Sequence, residues 1–261
     1  MKMSKRLGQV FLKDQATLAY IVKSAEIKKG EKVIEIGPGS GALTEYLLRA
    51  HAEVIAIEKD KNWVSYLKNH LSDKQLKIIH ADVRDVYQDI IQSLGPHFKI
   101  VANIPYYLAS YLIRLILSNN PQPDLCILMV QKEVAQRLIG WHNQNSLLSI
   151  ATQLYSKVTY LKTVPKSYFE PQPKVDSALV KIQPYKNTFS QQYVTLFFKL
   201  LHAGFIHPRK YLISNLAEAL SISKESLQSI FLKCSLSPKI RPEELNLADW
   251  KCLFKELYQL E

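Results

Sequence analysis

The 261-residue chain contains few cysteines and few glycines, and it has no long apolar run. Its three cysteines lack the spacing of a metal site, and its histidines and carboxylates form no zinc-type cluster. No stretch approaches the ~18 apolar residues of a membrane span, and the basic start lacks the apolar segment of a signal peptide. We therefore expect a soluble, cytoplasmic monomer without a metal ion, with Cys126 as a reduced thiol in the core.

Acidic residues are also in the minority: 34 Lys and Arg face 23 Asp and Glu, which gives a formal net charge of +11. The excess is spread along the chain, so it does not indicate a basic tail. Such a balance favours a nucleic-acid partner, although solubility alone could explain it. The candidate phosphate contacts are Lys5, Arg6, Arg114, Lys132, Arg137, Lys174, Arg209 and Lys210.

Short β-branched runs alternate with helix-like segments up to about residue 150. The candidate strands lie at residues 32–36, 53–57, 76–80, 99–102 and 125–130. This alternation predicts an α/β fold, with a parallel sheet covered by helices on both faces. Residues 157–164 and 177–182 are joined by a proline-rich loop too short for a crossover helix, which predicts an antiparallel pair at the sheet edge.

From about Tyr185 the pattern is helical only, and prolines separate the segments. The predicted helices cover residues 191–205, 208–220, 224–233 and 248–260. We therefore predict two domains, residues 1–184 and residues 185–261.

Residues 33–41 (VIEIGPGSG) predict a strand that leads into a glycine-rich turn and a helix, a site where the backbone can approach a ligand. Glu58 ends the next predicted strand, where a carboxylate can bind two ribose hydroxyls. A nicotinamide dinucleotide site uses the same pair. The Gly-x-Gly-x-Gly spacing from Gly37 favours a different adenosine cofactor, and so does Asp82, which could accept a hydrogen bond from an adenine amino group. A helix N-cap is the alternative role of Asp82.

Asn103, Ile104, Pro105 and Tyr106 follow another apolar run and form the most informative motif of the chain. The Asn103 side-chain oxygen and the Ile104 carbonyl could accept both N–H groups of an adenine amine and aim its lone pair. Pro105 fixes φ and removes a backbone donor, and Tyr106 offers a flat face for the base. A simple strand-ending turn would have the same composition.

Four further segments match one family: residues 5–12 (KRLGQVFL), 131–138 (QKEVAQRL), 169–178 (FEPQPKVDSA) and 208–210 (PRK). With these, nearly the whole chain resembles the KsgA-type (RsmA) small-subunit rRNA adenine N6,N6-dimethyltransferases. The resemblance implies a class I S-adenosylmethionine-dependent methyltransferase fold with a mostly parallel seven-stranded sheet and a small helical C-terminal domain that docks RNA. The implied substrate is a pair of adjacent adenines in a hairpin loop near the 3′ end of small-subunit rRNA, within an immature 30S-type subunit.

The resemblance also implies the site residues. The cofactor contacts fall on Val10, Leu12, Gly37, Glu58, Asp82 and Asn103, and the RNA contacts fall on Tyr106, Phe169, Lys174, Arg209 and Lys210. Relatives often have Asn where this chain has Val10. The cofactor contact at this position is therefore kept only if the main chain of residue 10 makes it. Tyr107, Tyr168 and Tyr193 are further aromatic candidates for base stacking, although aromatic residues more often belong to a core.

Three other functions remain open from the sequence. A large-subunit rRNA dimethylase shares the chemistry, but residues 174–177 (KVDS) favour the small-subunit branch. A ribosome-assembly factor that acts mainly by binding would also use a basic helical domain. A DNA adenine methylase and a nicotinamide-dependent dehydrogenase are less favoured, because the chain has no separate sequence-reading domain and no residue typical of a hydride-site acid.

Overall fold

The structure is a computed structural model that describes residues 10–141, 144–186 and 189–259. Contacts divide the chain into two units, residues 1–135 with 156–184, and residues 136–155 with 185–261. The last of the three divisions along the chain follows Pro184, at the predicted boundary. Residues 136–155 were predicted in the first domain but group with the C-terminal helices. Their apolar side chains Ile150 and Leu154 pack in the helical core, which explains the difference.

The strands in the described residues are β1 (Phe11–Leu12), β2 (Lys32–Ile36), β3 (Glu53–Glu58), β4 (Leu76–His80), β5 (Phe98–Asn103), β6 (Leu125–Gln131), β7 (Ser156–Val164), β8 (Phe169–Glu170) and β9 (Ser177–Pro184). Seven form one sheet in the order β4-β3-β2-β5-β6-β9-β7. Strands β2 to β6 pair in parallel, while β9 is antiparallel to both β6 and β7. The predicted parallel sheet and antiparallel pair are therefore confirmed. β1 and β8 form a separate antiparallel pair.

The helices of the first unit are α1 (Gln15–Ser24), α2 (Ala42–Arg49), α3 (Lys61–His70), α4 (Val83–Leu94) and α5 (Ala109–Ser118). Two of them, α1 and α4, were not predicted. In α4 the buried residues Val83, Tyr87, Ile90 and Ile91 recur at helical spacing and cover the sheet. The core strands β5 and β6 are buried along nearly their whole length, as expected for parallel strands covered on both faces.

The helical unit contains α7 (Leu147–Tyr155), α8 (Gln191–Gly204), α9 (Leu212–Leu220), α10 (Lys224–Lys233) and α11 (Leu247–Tyr258), and α6 (Lys132–Leu138) spans the division between the units. Buried aromatic side chains such as Phe197, Trp250 and Phe254 form its core. α9 begins at Leu212 and not at the predicted residue 208. The preceding residues form a turn, in which the Lys210 backbone N–H donates to the His207 carbonyl at 3.0 Å.

Cys126 is free and buried, as predicted. Cys234 and Cys252 form a disulfide between the end of α10 and α11, a pairing that was not predicted from the sequence. None of the described helices combines the length and apolar character that a membrane span requires. Within the described ranges, no group of three or more His, Cys, Asp or Glu side chains is placed to hold a metal ion.

The order of the parallel strands reverses between β2 and β5, because the chain first adds strands on one side of β2 and then on the other. Loops that leave the carboxyl ends of β2 and β5 diverge to opposite faces, and this opens a crevice. The glycine-rich turn follows β2, and Asn103 ends β5. The fold thus brings together motifs that are far apart in the sequence.

Glu35 is a buried carboxyl group in the central strand β2, with 1% of its surface exposed. The Thr44 hydroxyl donates a hydrogen bond of 2.6 Å to Glu35 Oε2. Burial, which disfavours the charged form, raises the pKa of Glu35 to about 8. In the folded protein this carboxyl is therefore protonated at neutral pH.

We predict that Glu35 makes stability fall with rising pH. The unfolded chain ionises this group above its ordinary pKa of 4.5, whereas the folded protein keeps it neutral to about pH 8. The contribution of neutral Glu35 to the free energy of unfolding is complete below the pKa of the unfolded chain. This contribution is lost as the pH rises to about 8. Glu35→Gln should remove this pH dependence. The free energy of unfolding of the variant, relative to that of wild type, should therefore rise between pH 5 and pH 8 by about 1.4 kcal/mol per unit of pKa shift.

Denaturant unfolding of both proteins at several pH values measures the effect, with exposed Glu45→Gln as the matched control. Parallel curves for wild type and Glu35→Gln would show that burial does not hold the carboxyl in its neutral form.

Candidate active site

A cavity of about 1130 Å³, including its open mouth, lies at the carboxyl edge of the parallel strands. Its walls come from the segment before α1, the glycine-rich turn after β2, and the ends of β3, β4 and β5. Eight of the predicted site residues line it: Val10, Leu12, Gly37, Glu58, Asp82, Asn103, Ile104 and Pro105. Tyr106, Phe169 and Lys174 are not among the described residues that line it.

The glycine-rich turn has a left-handed backbone, with φ of +70° at Gly37 and +54° at Gly39. A Cβ atom on Gly39 would lie 2.5 Å from the Phe11 ring. Only glycine satisfies both the conformation and this close packing. The turn therefore brings backbone N–H groups to the cavity wall at the start of α2.

Glu58 is 6% exposed at the end of β3, and burial raises its pKa. The Gly39 N–H donates to Oε2 at 3.1 Å, and the Asp60 N–H donates to Oε1 at 2.8 Å. Each carboxylate oxygen has a second lone pair. Glu58 can therefore accept further hydrogen bonds, as the predicted ribose contact requires.

Asp82 is the N-cap of α4 and accepts a hydrogen bond of 3.0 Å from the Arg84 N–H, the alternative role that its position allowed. Its oxygens also accept from the Arg84 guanidinium at 2.9 and 2.6 Å and from Lys59 Nζ at 2.8 Å. Mainly because of Arg84, the pKa of Asp82 lies well below its usual range. An adenine amino group would have to compete with Arg84 or Lys59 for this carboxylate.

Asn103 is oriented by the segment that precedes β1. Its Nδ2 donates a hydrogen bond of 3.2 Å to the Val10 main-chain carbonyl. The other end of the amide, Oδ1, is an acceptor. Residue 10 thus contacts Asn103 through its main-chain carbonyl, and a valine can make this contact.

Tyr106 is half-buried, and its hydroxyl lies 2.8 Å from the Oγ of the fully buried Ser177. The residue belongs to a short 3₁₀ turn, Tyr106–Leu108, that follows Pro105. The next residue, Tyr107, lines the cavity and is 66% exposed. The turn therefore directs the second tyrosine of the pair to the cavity mouth and anchors the first.

Phe169 is only 4% exposed, although the sequence pointed to it as a base-stacking residue. Its backbone pairs with Leu12, and its ring packs in the core cluster that contains Leu12 and Leu18. This is the core placement common for aromatic residues. A base could contact the ring only after a local rearrangement.

Of the predicted RNA-binding cations, Lys174, Arg209 and Lys210 are exposed, and the described ones lie in both units. Lys174 is in the loop before β9, and Arg209 and Lys210 are in the turn before α9. Lys210 Nζ lies 3.6 Å from Glu218. Lys5 and Arg6 lie outside the described residues.

Among the lining residues that were not assigned to the cavity from the sequence, five carry charged or aromatic side chains: Phe11, Glu35, Lys59, Arg84 and Tyr107. Glu35 had a signal, because it is an acid inside an apolar strand directly before the glycine-rich turn. Lys59 and Arg84 each lie within two residues of a predicted acidic site residue. Phe11 and Tyr107 are neighbours of predicted residues, and only their side-chain directions place them in the wall.

The cavity fits an adenosine-bearing cofactor. The glycine-rich turn presents backbone without a Cβ atom to the cavity at Gly37 and Gly39, and Glu58 keeps acceptor capacity beside it. Apolar walls from Ile36, Ile57 and Met129 can cover the rest of such a molecule.

Known proteins are similar to this chain over nearly its full length. A family model described as "Ribosomal RNA adenine dimethylase" matches residues 1–257. The "Ribosomal RNA small subunit methyltransferase A" of Dehalococcoides mccartyi strain ATCC BAA-2266 is 36% identical over 251 residues, which cover 95% of this chain and 86% of the relative.

Two solved structures share the fold. A dimethyladenosine transferase from Plasmodium falciparum has 28% identity and a TM-score of 0.76, with 95% of this chain and 98% of that chain covered. The 23S rRNA methyltransferase ErmE has 22% identity and a TM-score of 0.73, with 95% and 99% covered. Together with the strand order, they confirm the class I methyltransferase fold. The chain belongs to the ribosomal RNA adenine dimethylase family.

Proposed function

We propose that this protein transfers methyl groups from S-adenosylmethionine to N6 of two adjacent adenines in the 3′-terminal hairpin loop of small-subunit rRNA. The products are N6,N6-dimethyladenines, made late in the assembly of the small subunit. The family match and the small-subunit name of the relative support this function over a large-subunit dimethylase. ErmE is similar at an identity that indicates the fold alone.

The observation that carries the proposal is the orientation of Asn103. Because Nδ2 donates to the Val10 carbonyl, the amide presents Oδ1 as its acceptor, and Asn103 lines the cavity. The adenine amine is planar and a poor nucleophile. With Oδ1 and the Ile104 carbonyl accepting its two N–H bonds, the amine becomes more pyramidal and its lone pair gains a direction.

The cofactor residues are Val10, Leu12, Gly37, Glu58, Asp82 and Asn103, and they would hold the molecule along the glycine-rich turn. S-adenosylmethionine supplies, when bound, a methyl group on a sulfonium with a good leaving group. The protein's own task is positioning, which alone can lower a reaction barrier by about 7–11 kcal/mol. We assign no general base, because the N6 proton becomes acidic after transfer and can leave to water.

Dimethylation requires the same pocket to accept the amine twice. After the first transfer the amine has one N–H left, so one of the two acceptors, Asn103 Oδ1 or the Ile104 carbonyl, loses its partner. The base must also leave the RNA stack to reach the cavity. Tyr106 is the proposed stacking residue, because its hydroxyl is anchored to the buried Ser177 and the ring keeps one orientation.

The RNA-contacting residues outside the pocket are proposed to be Lys174, Arg209 and Lys210, the last two in the helical domain at residues 185–261. The positive charge of the chain suits rRNA, with binding that weakens steeply as salt rises. We propose that a monomer acts on the immature 30S-type subunit, in the cytoplasm where that subunit assembles.

The function predicts where labelled methyl groups appear. With radiolabelled S-adenosylmethionine, wild-type protein should label unmodified small subunits, and mapping should place N6,N6-dimethyladenine at two adjacent adenines near the 3′ end. Free small-subunit rRNA and large subunits serve as comparison substrates. Label in large-subunit rRNA, or no label in either subunit, would contradict the proposal.

Asn103→Ala should abolish methyl transfer and spare RNA binding. Loss of the amide removes the acceptor that aims the amine, and a misplaced reactant alone can cost ~10²-fold in rate. Single-turnover kinetics and filter binding of the same RNA separate the two effects. Asn119→Ala, at the end of α5 and outside the cavity lining, is the matched control. Normal turnover by Asn103→Ala would exclude this role.

Tyr106→Ala should reduce transfer by roughly 5- to 150-fold, which corresponds to the ~1–3 kcal/mol of one stacked base. Tyr106→Phe keeps the ring and loses only the hydrogen bond to Ser177, so its loss should be smaller. Ser177→Ala should have the same effect as Tyr106→Phe, and the double variant should lose no more than either alone. Additive losses in single-turnover rates would mean that Ser177 does not act through Tyr106.

A further inference from the structure

The side of α5 that faces away from the core, together with the 3₁₀ turn before it, carries aromatic and basic side chains that begin at the cavity. Tyr107, Tyr111 and Arg114 follow at spacings of four and three residues, which place them on one side of the helical segment. The opposite side packs in the core through Leu112, Ile113 and other apolar residues. The outer side is therefore a separate surface, here called the α5 stripe (Tyr107, Tyr111, Arg114).

The stripe is continuous with the candidate active site. Tyr107 lines the cavity, and its ring is 66% exposed. The Tyr107 ring is therefore accessible to a ligand that enters the cavity. From Tyr107 to Arg114 a helix rises about 10 Å at ~1.5 Å per residue. That length corresponds to about three nucleotides at the ~3.4 Å spacing of stacked bases.

The chemistry of the stripe suits single-stranded nucleic acid. The Arg114 guanidinium lies 5.8 Å from the centre of the Tyr111 ring, so a cation and a π-face are presented together. Arg84 supplies a further cation at the cavity wall. The nearby acid Asp82 is neutralised by Arg84 and Lys59, and Asp85 is a second acid in the neighbourhood. Rings and cations arranged along a backbone-length path are the elements of a single-strand site.

We propose that the α5 stripe binds the single-stranded nucleotides adjacent to the target adenine. Tyr107 and Tyr111 stack on the flanking bases, and Arg114 contacts a phosphate. Tyr106 keeps its separate role at the target base. This inference rests on the proposed function and extends it, because it assigns the substrate segment outside the pocket to a surface of the first unit.

The test combines protein variants with altered RNA. The probe is a small-subunit 3′ hairpin RNA, either intact or with abasic sites in place of the nucleotides that flank the two adenines. Tyr107→Ala and Tyr111→Ala should each weaken binding of the intact hairpin by roughly 5- to 150-fold, the effect of ~1–3 kcal/mol per stacked base. On the abasic hairpin these losses should disappear, because no base is left to stack.

Arg114→Gln should weaken binding to both hairpins and lower the salt slope of log Kd by about 1, as expected for one lost phosphate contact. The matched control pair is Arg49→Ala and Tyr46→Ala, an exposed arginine over a tyrosine ring at 5.2 Å that does not line the cavity. Titration of S-adenosylmethionine verifies that each variant keeps its cofactor site.

Two results would overturn the inference: wild-type binding by the stripe variants, or losses that persist on the abasic hairpin. The second result would mean that the tyrosines act through the fold or through a protein partner. Failure of the proposed function is distinct from both, because it would show as absent methyl transfer by the wild-type protein, whatever the binding data.

Discussion

Five parallel strands end at the same edge of the sheet, and the candidate active site depends on that constraint. Gly37 follows β2, Glu58 ends β3, Asp82 follows β4, and Asn103 ends β5. These residues are separated by 20 or more positions in the chain, yet all line one cavity. The reversal of strand order at β2 and β5 then separates the loops and leaves the space between them.

The three carboxyl groups that line the cavity have different environments and therefore different hydrogen-bonding capacities. Glu35 is buried without a cation, so it is neutral at pH 7. Glu58 accepts two backbone N–H groups while burial raises its pKa. Asp82 is fixed in its ionised form by Arg84 and Lys59. The cavity wall thus contains a neutral acid at Glu35, a backbone-bonded acceptor for hydroxyls at Glu58, and an ion-paired acid at Asp82.

The segment around β1 completes the site from outside the large sheet. The Val10 carbonyl orients Asn103, the Phe11 ring packs against Gly39, and Leu12 lines the cavity. Pairing of β1 with β8 links this segment to Phe169 and buries that ring. Asn103, the glycine-rich turn and Phe169 are therefore connected through three consecutive residues.

Much of the fold and eight residues that line the cavity could be predicted from the sequence. Apolar β-branched runs marked the strands, glycines marked the turn, and Glu58, Asp82 and Asn103 followed because parallel strands carry their ends to one edge. These inferences need only local propensity and a topological rule. The family motifs added the methyl-transfer chemistry.

Only the tertiary structure decided which atoms meet. It turned Tyr107 to the cavity and anchored Tyr106 to Ser177, it buried Phe169, and it joined Asp82 to Arg84. It also placed residues 136–155 with the C-terminal helices and brought Cys234 to Cys252. The physical reason is that side-chain direction and long-range contact depend on packing among distant segments, whereas the periodicity and turn chemistry readable in a sequence act over a few neighbouring residues.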